Sequence, residues 1–321
     1  MVFTGYHEKI YPGNGRRAER HEWLRGDFAE AKMKNIRSIG TSTRICAIIG
    51  NPVAHSLSPA IHNAGFAALG LDFVYVAFRV EDVGRALNGM RALENFRGLS
   101  VTIPHKLEAM KHVDDVAMVD RRIGSINTII NDNGRLTGLG TDGPGALKAL
   151  RDAGATVAGK NVLMLGAGGA ARAIAFTLAR DASPAEINIL DIDGSTVNHL
   201  AADLAAGTDT TIRSGIMTDN ALNGAMPVAD IIIHCTPVGM HPREGMSPVP
   251  KSLFRKGQVV FDAVYNPLET RLLADAKDSG LRVISGVEMF INQAVLQFEH
   301  FTDTPSPEEI MRRVVMAHLT S

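Results

Sequence analysis

Apolar positions fall along this chain in two rhythms. Short unbroken runs recur, including Ile45-Cys46-Ala47-Ile48-Ile49, Val162-Leu163-Met164-Leu165, Ile231-Ile232-Ile233 and Val259-Val260-Phe261. Runs of strand length without a polar interruption predict strands buried on both faces, as in a parallel sheet. Longer stretches between them carry apolar residues at helical spacing. Taken in order, the pattern predicts strands at 45–50, 73–78 and 98–104, with helices at 61–70, 80–93 and 106–116. A hairpin over 124–139 turns at Asn133-Gly134, a dipeptide that favours tight β-turns. A helix over 146–153 then leads to strands at 162–165, 187–191, 229–236, 259–265 and 282–284. Helices at 174–179, 197–206 and 268–279 alternate with them, and two amphipathic helices, 286–300 and 307–319, close the chain. Strand–helix alternation of this kind is an α/β fold.

The stretch Val162 to Ala173 organises the second half. Its apolar strand ends in Gly166-Ala167-Gly168-Gly169-Ala170-Ala171, and a helix follows. Strand, glycine turn and helix together are the context in which G-x-G-x-x-A marks a dinucleotide site. Gly166 permits the tight turn, Gly168 lets a pyrophosphate approach the backbone, and Ala171 keeps helix and sheet close. The free N–H groups and dipole of the helix start then hold the phosphates. Asp191 ends the next strand, where an acid reads the adenosine ribose.

Composition narrows the picture. With 321 residues, 45% hydrophobic and 21% charged, the chain reads as a globular protein of two domains. A formal net charge of −1 gives no electrostatic reason for a nucleic-acid or membrane partner. No apolar run is long enough for a membrane-spanning helix. Cys46 and Cys235 each sit inside an apolar run, which suggests buried reduced thiols in a cytoplasmic protein. The histidines lack the close spacing of a metal site, so no metal is expected. Residues 1–43 are polar, arginine-bearing and without a signal-peptide core, and predict a loosely structured extension. Met33 offers another start.

Candidate chemistry lies mostly before the glycine stretch. Ser58 before Pro59 predicts a helix start with Ser58 as N-cap, and Ser56 lies in the same turn. Two hydroxyls there either cap the helix or hold a small carboxylate. Lys106 and Asp142 each follow a predicted strand of the first sheet, where open α/β sheets bind ligands.

Together these segments are similar to shikimate dehydrogenases, of the wider shikimate/quinate dehydrogenase family, over residues 45–320. His55-Ser56-Leu57-Ser58-Pro59 resembles the family's substrate-carboxylate segment. Val101-Thr102-Ile103-Pro104-His105-Lys106 resembles its catalytic-lysine strand, and Thr141-Asp142-Gly143 carries its catalytic aspartate. Gly124-Ser125-Ile126-Asn127-Thr128 resembles the loop holding a ring hydroxyl. Asp262-Ala263-Val264-Tyr265 and the segment Gly286 to Ala294 resemble two stretches lining the cleft. The resemblance implies an N-terminal α/β substrate domain (44–145), a Rossmann-like domain (146–285) and C-terminal helices (286–321) returning to the first domain. It implies NAD(P)-dependent interconversion of 3-dehydroshikimate and shikimate, with quinate as an alternative substrate. Lys106 and Asp142 would be catalytic. Ser56, Ser58, Thr102, Asn127, Tyr265 and Gln293 would bind substrate. Gly166, Ala167, Gly168, Gly169, Ala170, Asp191, Thr236, Ala263 and Gly286 would line the cofactor. A homodimer is implied too. A dinucleotide-binding regulator without turnover is the remote alternative, and it requires loss of the Lys/Asp pair.

Three positions depart from the family pattern. Gly140 and His234 each stand where asparagine is usual. Leu190-Asp191-Ile192-Asp193 replaces the usual Asn-Arg-Thr that grips a 2′-phosphate. No Arg or Lys lies between Asn188 and Ala206. Asp191 suits the ribose hydroxyls of NAD and repels a phosphate dianion, so NAD is expected over NADP, with NADP possible.

Overall fold

The computed structural model describes residues 39–320. The expected extension, with Met33, lies almost wholly outside the described residues. Two six-stranded sheets carry the chain from Arg44 onward.

The first sheet is built from β1 (Arg44–Gly50), β2 (Phe73–Arg79), β3 (Phe96–Val101), β4 (Asp115–Val116), β5 (Thr128–Asp132) and β6 (Arg135–Leu139). Helices α1 (Ser58–Ala68), α2 (Val83–Arg91) and α3 (Met118–Ile123) connect them. The order is β2-β1-β3-β5-β6-β4. β1 pairs parallel with β2 and β3, while β5 runs antiparallel to β3 and β6. The β5–β6 turn has φ of 52° at Asn133 and 88° at Gly134, the left-handed pair that a two-residue hairpin needs.

Helix α4 (Asp142–Asp152) crosses to the second sheet. Its strands are β7 (Asn161–Leu165), β8 (Glu186–Asp191), β9 (Thr211–Ile216), β10 (Ile231–His234), β11 (Val259–Asp262) and β12 (Arg282–Ile284). Helices α5 (Gly169–Asp181), α6 (Gly194–Gly207), α7 (Asp219–Ala225) and α8 (Arg271–Asp278) lie between them. Every pair is parallel, in the order β12-β11-β10-β7-β8-β9. That is the doubly wound dinucleotide-binding arrangement, whose switch point falls between β7 and β10.

Two helices, α9 (Gly286–Thr302) and α10 (Glu308–Leu319), end the chain. Their apolar residues Ile291, Phe298, Phe301, Met311 and Val315 share one buried cluster with Ile61, Phe66 and Tyr75 of the first sheet and α1. Gly65 and Gly98 make room there. A Cβ at either would meet the Phe298 or Phe301 ring at 2.7 and 2.3 Å.

The structure corrects several sequence expectations. Lys106 opens no helix to Val116. A short 3-10 turn, Glu108–His112, is followed by β4. The cause is tertiary: the Asp114 carboxylate accepts from Leu136 N–H at 2.7 Å and pairs with Arg91, which draws the chain into the sheet. Helix α1 begins at Ser58 with Leu57 as the capping position, so Ser58 is not the N-cap. Instead Ser56 Oγ accepts the Ser58 N–H at 3.3 Å. Strand β9 escaped the apolar pattern because it is an edge strand whose exposed positions are Thr, Arg, Ser and Ile. α3 and α7, of 6 and 7 residues, are too short to show a helical period.

Candidate active site

The Lys106 ammonium and Asp142 carboxylate form an ion pair, with side chains 15% and 10% exposed. Lys106 lies in the turn after β3, and Asp142 is the first residue of α4. A carboxylate in a helix's first turn is favoured by the helix dipole. Asn127 holds it in place. Its Nδ2 donates to Asp142 Oδ1 at 2.8 Å and to Thr141 Oγ1 at 2.9 Å. Its Oδ1 accepts from Thr141 N–H at 2.7 Å. Both oxygens of Asp142 are therefore engaged, one by the cation and one by a neutral amide. Breaking such a buried pair leaves an uncompensated charge, which is the reason a substitution on either side is costly.

Two close approaches bring the glycine turn to this pair. Gly143 packs against α5, and a Cβ there would lie 2.0 Å from Thr177 Oγ1 and 2.6 Å from the Ala173 carbonyl oxygen. At Gly169, the first residue of α5, a Cβ would be 3.6 Å from Lys106 Cδ. The N-terminus of the dinucleotide helix thus abuts the lysine stem.

The expected cofactor residues gather at the switch point. Gly166 has φ of 107°, and a Cβ would press on Cys235 and on Thr236 Cγ2 at 3.0 Å. Gly168 faces open space, as close phosphate approach requires. Ala171 is fully buried against the sheet. Asp191 Oδ2 accepts from Ala167 N–H at 2.6 Å and Oδ1 from Asp193 N–H at 2.9 Å, so the acid braces the turn it faces. Gly286 begins α9 where a Cβ would clash with the Ala263 carbonyl oxygen at 2.6 Å. These features fit a dinucleotide. Arg172 pairs with Asp203 and lies over Phe176, and Arg213 pairs with Glu186 at 2.7 Å.

The other expected substrate residues are less tightly knit. Tyr265 stacks on Phe290 at 4.4 Å, and burial raises its pKa, which keeps the phenol a donor. Gln293 Nε2 donates to Phe290 O at 2.8 Å and makes no bond to the Lys106–Asp142 pair. Thr102 follows β3 and packs against Gly50. Ser58 is buried and Ser56 half-buried at the start of α1.

Two of the departures acquire structural reasons. A Cβ at Gly140 would stand 2.6 Å from Asp120 Oδ1, so the buried Asp120 carboxylate occupies the space of a longer residue. Burial raises the Asp120 pKa, against a backbone hydrogen bond from Gly140. His234 is fully buried, with Nδ1 2.9 Å from Asp262 Oδ1 and Nε2 against Thr236 Oγ1. Asp262 also accepts from Val264 N–H and Thr270 Oγ1, so the carboxylate that holds the imidazole is itself fixed. The Asp120–Gly140 and His234–Asp262 partners lie 20 and 28 residues apart, so no local pattern announced them.

A parallel dinucleotide-type sheet whose glycine turn abuts a lysine–carboxylate pair defines an α/β oxidoreductase that uses NAD(P). The comparisons with known proteins agree. Residues 48–129 match the shikimate dehydrogenase substrate binding domain, and 286–316 the shikimate 5'-dehydrogenase C-terminal domain. A shikimate dehydrogenase (NADP(+)) of Moorella thermoacetica is 43% identical over 282 residues, 86% of this chain and 94% of its own. The structure of shikimate 5-dehydrogenase from Listeria monocytogenes in complex with shikimate and NAD superposes with a TM-score of 0.82 at 34% identity, covering 88% of this chain and 99% of that one. Quinate dehydrogenase from Corynebacterium glutamicum in complex with NAD gives 0.79 at 26% identity, covering 86% and 99%. The chain belongs to the shikimate dehydrogenase family.

Proposed function

We propose that the protein interconverts 3-dehydroshikimate and shikimate with Lys106 and Asp142 as its catalytic pair. The carrying observation is their buried ion pair, fixed by Asn127 and set against Gly169 of the dinucleotide turn. In the reducing direction the bound nicotinamide supplies a hydride to the ring carbonyl carbon. The carbonyl oxygen then gains negative charge and needs a donor close by. The Lys106 ammonium stabilises that alkoxide and delivers a proton to it. Asp142 keeps the ammonium oriented and accepts a neighbouring ring hydroxyl. Thr102 bonds a ring hydroxyl, Asn127 reaches one by releasing Thr141 Oγ1, Tyr265 and Gln293 close the opposite side, and Ser56 and Ser58 hold the carboxylate. Gly166 to Ala170, Thr236, Ala263 and Gly286 line the cofactor.

NAD is the preferred cofactor in this reading. The support is Asp191 at the end of β8, Asp193 just after it, and the engagement of Arg172 and Arg213 elsewhere. A phosphate beside Asp191 would meet like charge. A net cost of roughly 2–3 kcal/mol is a preference of roughly 30- to 150-fold. The NADP(+) in the name of the Moorella relative stands against it, and the NAD in the Listeria structure stands with it. Quinate is the second substrate reading, favoured by the NAD-bound quinate dehydrogenase likeness. Steady-state kcat/KM for shikimate and quinate with each cofactor decides both questions. NAD should lead, and Asp191→Ala should narrow the gap; equal values or a lead for NADP would overturn the preference. Among the described residues no helix is long and apolar enough to cross a membrane. The reading includes a cytoplasmic homodimer, and a single-chain molar mass by light scattering would count against the dimer.

A further inference from the structure

Behind the ion pair lies a buried row of hydrogen bonds with a fixed direction. Tyr75 OH donates to Ser100 Oγ at 2.6 Å, and Ser100 Oγ donates to Gln297 Oε1 at 2.8 Å. Gln297 Nε2 donates to Thr128 Oγ1 at 2.9 Å and to the Asn127 carbonyl oxygen at 3.2 Å. Thr128 Oγ1 donates to Asn127 Oδ1 at 3.0 Å, and Asn127 Nδ2 reaches Asp142. Gln297 is 2% exposed and belongs to α9, remote in sequence from every other member.

The amide can sit only one way round. The Asn127 carbonyl oxygen can only accept, so Nε2 must face it, and Oε1 is left to face Ser100. Thr128, receiving from Nε2, must turn its own proton to Asn127 Oδ1. That acceptance leaves Asn127 Nδ2 aimed at Asp142. The Thr141 N–H already turns Asn127 Oδ1 toward itself, and Gln297, from the returning helix, adds through Thr128 a second constraint on the amide that holds the catalytic carboxylate.

We propose that Gln297 is a positioning residue for proton transfer, acting from α9 through Thr128 and Asn127 on Asp142 and Lys106 without touching substrate. The inference rests on the proposed roles of Lys106 and Asp142. It ties the C-terminal helix to the chemistry: displacement of α9 would loosen the amide and, through it, the ammonium.

Gln297→Met keeps the side-chain length and removes both ends of the link. With shikimate saturating, kcat should fall roughly 10- to 100-fold, the scale of a small misplacement of reacting groups. NAD affinity should change little, because it does not depend on the aim of Asn127, while melting temperature should fall, because Ser100, Thr128 and the Asn127 carbonyl lose a buried partner. Thr128→Val cuts the same link one bond nearer the site and should give the same loss, so the test survives if Gln297→Met fails to fold. In an Asn127→Ala background, Gln297→Met should lower kcat by less than about twofold further, since coupled residues are non-additive. Wild-type kcat in folded Gln297→Met and Thr128→Val, or losses that multiply in the Asn127→Ala background, would overturn the proposal. Full activity of Lys106→Ala would instead overturn the catalytic reading beneath it.

Discussion

A serine's hydroxyl can serve its own backbone or a ligand, and Ser56 and Ser58 divide along that line. Ser56 Oγ accepts the Ser58 N–H, which uses an acceptor and leaves its proton free. Ser58 is in the first turn of α1 and makes no capping bond. Its hydroxyl lies within hydrogen-bond reach of the Tyr75 phenol. Ser56 keeps its proton for a substrate carboxylate, whereas Ser58 would have to turn its own away from the Tyr75 phenol, whose proton goes to Ser100. Ser56→Ala and Ser58→Ala should each raise KM for shikimate. A hydrogen bond to a charged group is worth roughly 1.5–3 kcal/mol, or roughly 10- to 150-fold. Melting curves should shift little for Ser58→Ala, because it is not the cap. An unchanged KM in both variants, with melting temperatures lowered, would make the serines structural. The ambiguity in the sequence came from one residue of helix register: a start at Ser58 rather than after it turns a cap into a free hydroxyl.

Among elements, the packing of α1 against α9 carries an unusual residue. His62 is fully buried, stacked on Tyr75 at 4.4 Å and 5°, near Phe66, Phe298 and Phe301. Neither ring nitrogen has a hydrogen-bond partner. Burial pushes its pKa down from 6.5 to about 3. The native state therefore keeps His62 neutral, while the unfolded chain takes up a proton below about pH 6.5. Stability from this group is complete above that pH and is lost as pH falls toward 3. Between pH 7 and 5 the loss is roughly 2 kcal/mol. His62→Phe should flatten the pH dependence of unfolding free energy over that interval. An equal slope in wild type and His62→Phe, by urea titration at several pH values, would show the imidazole to be protonated or hydrated in the native state. Elements with strong apolar runs, such as β1, β7, β10 and β11, were legible in the sequence because burial on both faces leaves an uninterrupted signature. β9 was not, since an edge strand needs no such run. The supposed helix after Lys106 failed because Asp114 finds its partners in β6 and α2, contacts that no local pattern carries.

At the scale of the molecule, two sheets supply different parts of one site. The first brings Lys106 and Asn127, the crossing helix brings Asp142, and the second brings the glycine turn through the tight Gly143–Thr177 approach. The Lys106–Asp142 ion pair was legible as residue types beside strand ends, and the glycine turn as a spaced motif. The buried polar row of Gln297, Ser100 and Tyr75 was not. Its members are single polar residues inside apolar elements, and only the fold reveals that they touch. The same holds for His234 with Asp262. The central claim is that Lys106 provides the donor and charge at the reacting oxygen. Its most direct test is kcat of Lys106→Ala for shikimate oxidation with saturating NAD, read beside NAD affinity by fluorescence titration. The account expects a fall of roughly 10²–10⁴ in kcat with NAD affinity nearly unchanged. A variant that kept more than about a tenth of wild-type kcat, with chemistry rate-limiting, would contradict it.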